Sequence, residues 1–234
     1  MMNEQIIMEA PAEAPVREDS AAGFALSDDI VLEAKPEGQR AEMLRSLRTQ
    51  LLERHVRCGR RALTVCGAST GVGISFMAAN LAVAFSRAGA NTLLIDANMR
   101  HPAVQRFIIP DRPVAGLSQS LTSGGESLEG AICNGVSGNL SVLYSGGAVP
   151  DALEKLSARR FQALIDMCMR DYDITLIDTP PSNQYADVLR VAAATGYALI
   201  VARKHVTFMQ DVDALTAQLN ASQVSVAGMV LNDY

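Results

Sequence analysis

Ala68-Ser69-Thr70-Gly71-Val72-Gly73-Ile74-Ser75 is the stretch from which the rest of this chain is read. Loops that wrap a phosphate follow the pattern G-x-x-x-x-G-K-[S/T], set between a strand and a helix. Ala68 opens the frame here, Gly73 and Ser75 stand in register, and Ile74 occupies the place of the lysine. The flanks fit the pattern. Arg61-Ala62-Leu63-Thr64-Val65-Cys66 reads as a strand, and Phe76 to Phe85 reads as a helix with no breaker. The stretch therefore predicts the shape of a phosphate cradle without its principal charge.

Strands and helices alternate on both sides of the loop. A helix is predicted from about Glu37 to Val56, with Leu44, Leu47, Leu51 and Leu52 on one face and Gly59 as its stop. Asn91 to Asp96 and Asp173 to Asp178 are short apolar runs that end in an acid. Between them lie a Gly/Ser/Pro-rich middle with helical pieces at Leu117–Leu121 and Leu128–Ile132, a strand at Leu140–Tyr144 and a helix at Leu153–Arg170. Helix Ala186–Ala194, strand Tyr197–Ala202, helix Phe208–Leu219 and strand Val226–Leu231 complete the pattern. Such alternation predicts an α/β fold, P-loop NTPase-like, with a mostly parallel sheet and helices on both faces. Ligands of such sheets sit at the carboxyl ends of the strands. The loop, Asp96 and Asp178 all fall at strand ends and are expected to converge.

Composition bounds the answer. Of 234 residues, 49% are hydrophobic and only 5% aromatic, which suits parallel strands buried among small aliphatic side chains. Residues 1–37 are acidic, rich in Ala and Pro and weakly patterned, and read as a flexible tail. Residues 38–234 read as a single domain. The formal charge is −5, and most of the excess acid lies in the tail, so no basic block argues for nucleic acid. Cys58, Cys66, Cys133 and Cys168 lack C-x-x-C spacing, which excludes a zinc ribbon and fits a reducing compartment. Cys66 and Cys168 read as buried small hydrophobes. His55, His101 and His205 are isolated and form no ligand set. No signal peptide and no apolar run of about 20 residues is visible. The chain is read as cytoplasmic, with any membrane contact made through a partner.

Three strand-end elements are more specific together than the loop alone: residues 68–75, Leu94-Ile95-Asp96-Ala97-Asn98-Met99-Arg100, and Thr175-Leu176-Ile177-Asp178-Thr179-Pro180. The set resembles the cytoplasmic domain of bacterial tyrosine kinases, which act with polysaccharide co-polymerases in capsule and exopolysaccharide export. The resemblance spans about residues 38–232. It includes Gly116-Leu117-Ser118, Asn139 to Leu143, Asp171-Tyr172-Asp173 and Val230-Leu231-Asn232. Partition and division-site ATPases are more distantly similar.

The resemblance implies roles for single residues. Thr70, Gly71, Val72, Gly73, Ile74, Ser75, Phe76 and Asn232 would surround a nucleotide. Ser75, Asp96 and Asp178 would hold Mg²⁺, and the two acids would serve catalysis. Two positions depart from the family: Ile74 stands for the lysine, and Asn98 stands for the second acid of a D-x-D segment. Ser69 stands where the partition ATPases carry another lysine. ATP or ADP with Mg²⁺ is thus expected to bind weakly or not at all. Glu42, Arg45 and Arg48 form E-x-x-R-x-x-R, a motif by which the family's subunits pack, and imply a homo-oligomer. Autophosphorylating members end in a tyrosine cluster; the last residues here hold Tyr234 alone. The expected function is that of a weakened or inactive autokinase-like protein, regulating exopolysaccharide synthesis and export with a membrane co-polymerase on a separate chain. An active autokinase and a positioning ATPase are the alternatives.

Overall fold

The computed structural model describes residues 23–122, 125 and 127–233. In chain order the elements are β1 (Phe24–Leu26), α1 (Val31–Ala34), α2 (Gln39–Arg54), β2 (Ala62–Cys66), α3 (Ile74–Arg87), β3 (Thr92–Asp96) and β4 (Ile108–Pro110). They continue with α4 (Leu117–Ser120), α5 (Leu128–Ala131), β5 (Cys133–Ser137), β6 (Leu140–Leu143), α6 (Ala152–Ser157) and α7 (Arg159–Asp171). The last are β7 (Ile174–Asp178), α8 (Asp187–Thr195), β8 (Tyr197–Arg203), α9 (Met209–Ala221) and β9 (Ser225–Asn232).

The main sheet has seven strands in the order β5-β6-β3-β7-β2-β8-β9, and only β5 runs antiparallel to its neighbour. Every residue of β2, β3, β6 and β7 is buried. Helices cover both faces of these strands, which explains the unbroken apolar runs. α3 and α2 pack over one face, where Leu44, Leu51, Leu63, Leu81 and Leu94 share a cluster. α7 packs over the other with Phe161, Leu164 and Ile165 against Leu93, Ile95 and Ile177. The α/β fold expected from sequence is present. Among the described residues, no helix is long and apolar enough to cross a membrane.

Register sets the site. β3 and β7 pair so that Asp96 lies beside Asp178, the last residue of each strand. β2 lies next to β7 and feeds the loop into α3. Gly116 shows why its short motif is there: a Cβ would lie 2.3 Å from both the Tyr144 carbonyl and the Gly146 amide.

Three sequence expectations are corrected. Residues 24–34, read as the end of the tail, are folded onto the domain. β1 pairs with β4, Ile30 is fully buried, and Asn80 of α3 bonds the Val31 amide and the Asp29 carbonyl. Alternate apolar residues in an acidic stretch made this piece look unpatterned; residues 1–22 and Tyr234 lie outside the described residues. β4 lies within the Gly/Ser/Pro-rich middle, where no strand is expected, and β5 in a stretch to which the sequence assigns no element. The helix expected at 153–170 is two helices, broken at Ala158, whose backbone is extended (φ −74°, ψ 152°).

Candidate functional site

The loop is a built turn. Gly71 and Gly73 take positive φ (77° and 95°), a region that costs side chains with a Cβ, and Gly73 delivers the chain into α3. Its carbonyls are held from outside. Ser182 N–H donates to Gly67 at 3.0 Å and Asn183 N–H to Ala68 at 3.1 Å. Arg203 Nη1 donates to Gly71 and Asn232 Nδ2 to Val72, both at 3.1 Å. By contrast, apart from the turn over Thr70 and Gly71, no amide from Thr70 to Ser75 has a hydrogen-bond acceptor among the described residues. Bound carbonyls, unused amides and a helix N-terminus make an anion cradle. Asn232, expected to touch nucleotide, braces this loop.

Ile74 begins α3 and is only 8% exposed. Its Cγ1 would lie 3.1 Å from a Cβ added at Gly67, beside Val72 Cγ2 at 2.8 Å from the same point. The side chain at the lysine position therefore leans back over the start of the loop and joins the apolar cluster with Val72 and Val201.

Ser75 Oγ donates to Asp178 Oδ2 at 2.6 Å, and Asp178 Oδ1 is buried with no hydrogen-bond partner. Asp96 is equally buried, but both its oxygens are occupied. Oδ1 accepts from Asn98 N–H (3.0 Å), and Oδ2 from the N–H groups of Ala103 and Val104 (both 3.1 Å). Asn98 Oδ1 accepts from His101 N–H at 3.0 Å, so it too shapes the turn.

Burial raises both carboxyls above the usual range, Asp96 to about 6 and Asp178 well up, with Asp96's charge adding to the effect on Asp178. Three N–H donors to Asp96 favour its ionised form and work against the burial that raises it. Among the described residues no cluster of three His, Cys, Asp or Glu side chains is set for a metal. Ser75 Oγ and the unpartnered Asp178 Oδ1 fit a Mg²⁺ that arrives with phosphate oxygens and water, which would neutralise phosphate charge.

A cleft of about 520 Å³ opens over the cradle, lined by Thr70, Gly71, Gly73, Ile74, Ser75 and Phe76. Thr179 and Pro181 bound it below, and Asn98, His101, Ala103 and Arg106 bound it on the β3 side. Asn98 is expected at the site from the sequence; sequence reasoning missed His101, Ala103 and Arg106. Arg106 and His101 lie in an irregular segment where no periodicity marks them. Arg100 also gains a place. Its Nε and Nη2 bond the two oxygens of buried Asp187 (2.8 and 3.2 Å), and its Nη1 bonds Pro150 O at 2.7 Å, tying the segment after β3 to α8. His55 is structural: it lies 1% exposed, with Nε2 3.2 Å from Ala62 O and its ring edge-on to Tyr197.

Glu42, Arg45 and Arg48 share one side of α2 and do not line the cleft. Arg45 bonds Glu42 (3.3 Å) and the Pro36 carbonyl (2.8 Å), and Arg48 Nε is buried with no partner.

The sequence matches the family described as AAA domain over residues 61–227. It is 33% identical over 197 residues to a putative tyrosine-protein kinase, EpsB, of Ralstonia solanacearum, covering 84% of this chain and 26% of that protein. The chain thus spans about a quarter of that relative's length. It is 27% identical to the putative tyrosine-protein kinase CapB of Staphylococcus aureus, covering 85% and 86% of the two chains. The kinase domain of the Escherichia coli tyrosine kinase ETK superposes with a TM-score of 0.80 at 26% identity, over 87% of this chain and 79% of that one. The chain belongs to the AAA domain family, and bacterial tyrosine kinases are its homologues.

Proposed function

We propose that this chain is a cytoplasmic tyrosine-autokinase-like subunit, catalytically weakened or inactive, that regulates synthesis and export of an exopolysaccharide with a membrane co-polymerase on a separate chain. The observation that carries the reading is Ile74: a cradle with free amides and an ordered Ser75–Asp178 pair lacks the ammonium group that phosphoryl transfer needs. The named kinases among its homologues support the pathway. Purified chain given Mg-ATP is expected to release phosphate at least about 10²-fold more slowly than kinase rates of roughly 1 s⁻¹, and to leave its tyrosines unlabelled. The preserved cradle favours a second reading, an active autokinase. Turnover near about 1 s⁻¹ with tyrosine labelling would establish that reading in place of ours.

Copies of this chain pack through α2 in the proposed assembly. Arg48's unpartnered Nε and the 62% exposed Met43 on the same helix support this, with Met229 and Leu231 adding apolar surface nearby. Arg45→Ala/Arg48→Ala is expected to shift the sedimenting mass toward the protomer. The measurement is made on the chain with its co-polymerase if the chain alone is monomeric. An unchanged oligomer mass ends the interface proposal.

A further inference from the structure

We propose that Arg106 is the phosphate-binding cation of the cleft, and that it holds the phosphates of a nucleoside di- or triphosphate in place of the charge absent at position 74. The proposal rests on the reading that the cleft takes a nucleotide, and adds to it the residue that makes binding feasible.

Arg106 ends a short helical turn, Val104–Arg106, after β3, and its side chain lines the same cleft as Thr70, Gly71, Gly73, Ile74 and Ser75. It approaches from across the cleft and not from the loop, so no loop motif records it. Its placement is fixed by buried chemistry. Asp96 Oδ2 accepts from the amides of Ala103 and Val104, and the Arg106 amide closes the turn on the Ala103 carbonyl at 3.0 Å. The acid at the end of β3 therefore works through its neighbours to present an arginine. The guanidinium is exposed and makes no hydrogen bond or ion pair with another described residue.

The charges of the cleft make that arginine decisive. Asp29 and Arg106 are the charged residues of its lining, with His101 the remaining titratable one. Without Arg106, the charged lining of the cleft would be the Asp29 carboxylate, with the Arg203 guanidinium engaged by the Gly71 carbonyl behind the loop. With Arg106, the repulsion of a phosphate by that carboxylate is offset, and a planar fork of donors can bind two phosphate oxygens at once. Asp178 supplies an independent sign that the site is built for a ligand. Its Oδ1, fully buried beneath Ser75 at the foot of the cradle, lacks the partner that buried carboxylate oxygens ordinarily have.

The test is isothermal titration of the full chain with Mg-ADP and, separately, with pyrophosphate. Arg106→Ala is expected to weaken both by about tenfold or more, the loss typical of a charge-assisted contact. Arg106→Lys should recover part of the loss, and raising the salt should weaken the native chain more than Arg106→Ala. Arg170→Ala, a charge change on an exposed residue of α7, should bind as the native chain does. Equal affinity of the native chain and Arg106→Ala overturns the assignment and leaves the nucleotide reading standing. Binding by Ile74→Lys but not by the native chain also overturns it, since the cleft would then be sound and Arg106 insufficient. Failure of both to bind removes the nucleotide reading, and this proposal with it.

Discussion

Ile74→Lys combined with Asn98→Asp is expected to raise ATP hydrolysis by about 10³-fold over the native chain, measured as kcat for phosphate release. A unit charge about 4 Å from a phosphate oxygen contributes roughly 4 kcal/mol at an effective dielectric of about 20. Each 1.36 kcal/mol gained only in the transition state is about tenfold in rate. The lysine stem has somewhere to lie, because Ile74 already runs back over Gly67 beside Val72, and a lysine's methylenes can follow that surface and leave the ammonium at the cleft. The second change restores a carboxylate to the lining of the cleft that would hold the Mg²⁺. It should keep the local turn, since an aspartate oxygen can accept from His101 N–H as the Asn98 amide oxygen does. Ile74→Lys alone should carry most of the gain, because phosphate charge is met directly by the ammonium, whereas position 98 acts through the ion. A double variant that binds nucleotide as tightly as a kinase but turns over no faster than the native chain would show that Ile74 is not what silences it.

The sequence exposed those parts of the site that sit on regular structure. β2, β3 and β7 are apolar runs with ends marked by the loop, Asp96 and Asp178, and parallel pairing brings such ends together. The two glycines of the loop announced its turn. What stayed hidden depends on contacts without period. Arg106 follows β3 by ten residues of irregular chain and reaches the cleft because two amides bond Asp96. Arg203 and Asn232 brace the loop from β8 and β9, and only the sheet order shows that β8 lies beside β2 and β9 next to β8. Asn80 sits mid-helix like any polar residue, yet its amide fastens the segment from Asp29 to Val31 that composition alone assigned to a tail. The roles expected of Asp96 and Asp178 also separate only in three dimensions. One acid organises a turn with both oxygens, and the other keeps an oxygen unpartnered.

Asp178→Asn is expected to stabilise the fold at neutral pH by about 2 kcal/mol, with the gain fading as the pH falls toward about 4. The sign follows from where the protons go. In the unfolded chain both carboxyls titrate near about 3.9. In the folded chain burial holds Asp96 up at about 6 and Asp178 well above its usual value. Between the unfolded and folded pKa values the native state binds more protons than the unfolded one. Stability from the pair is therefore complete below about pH 4 and is lost as the pH rises through about 6 and beyond. An amide at position 178 cannot ionise, so it escapes the burial cost and relieves Asp96 of a like charge on the neighbouring strand. Its oxygen can still accept from Ser75 Oγ. Thermal melts of native and variant chains at a series of pH values should therefore coincide near pH 4 and separate steadily upward, the variant melting higher. Magnesium provides the opposing check. Ion binding requires an ionised Asp178 and releases its proton, so any Mg²⁺-dependent gain in the native Tm with ADP should grow with pH and be absent from Asp178→Asn. A variant that melts lower than the native chain at pH 7, or a difference that does not change with pH, would mean that the pair is held ionised by contacts stronger than those between Ser75, Thr179 and the two carboxyls.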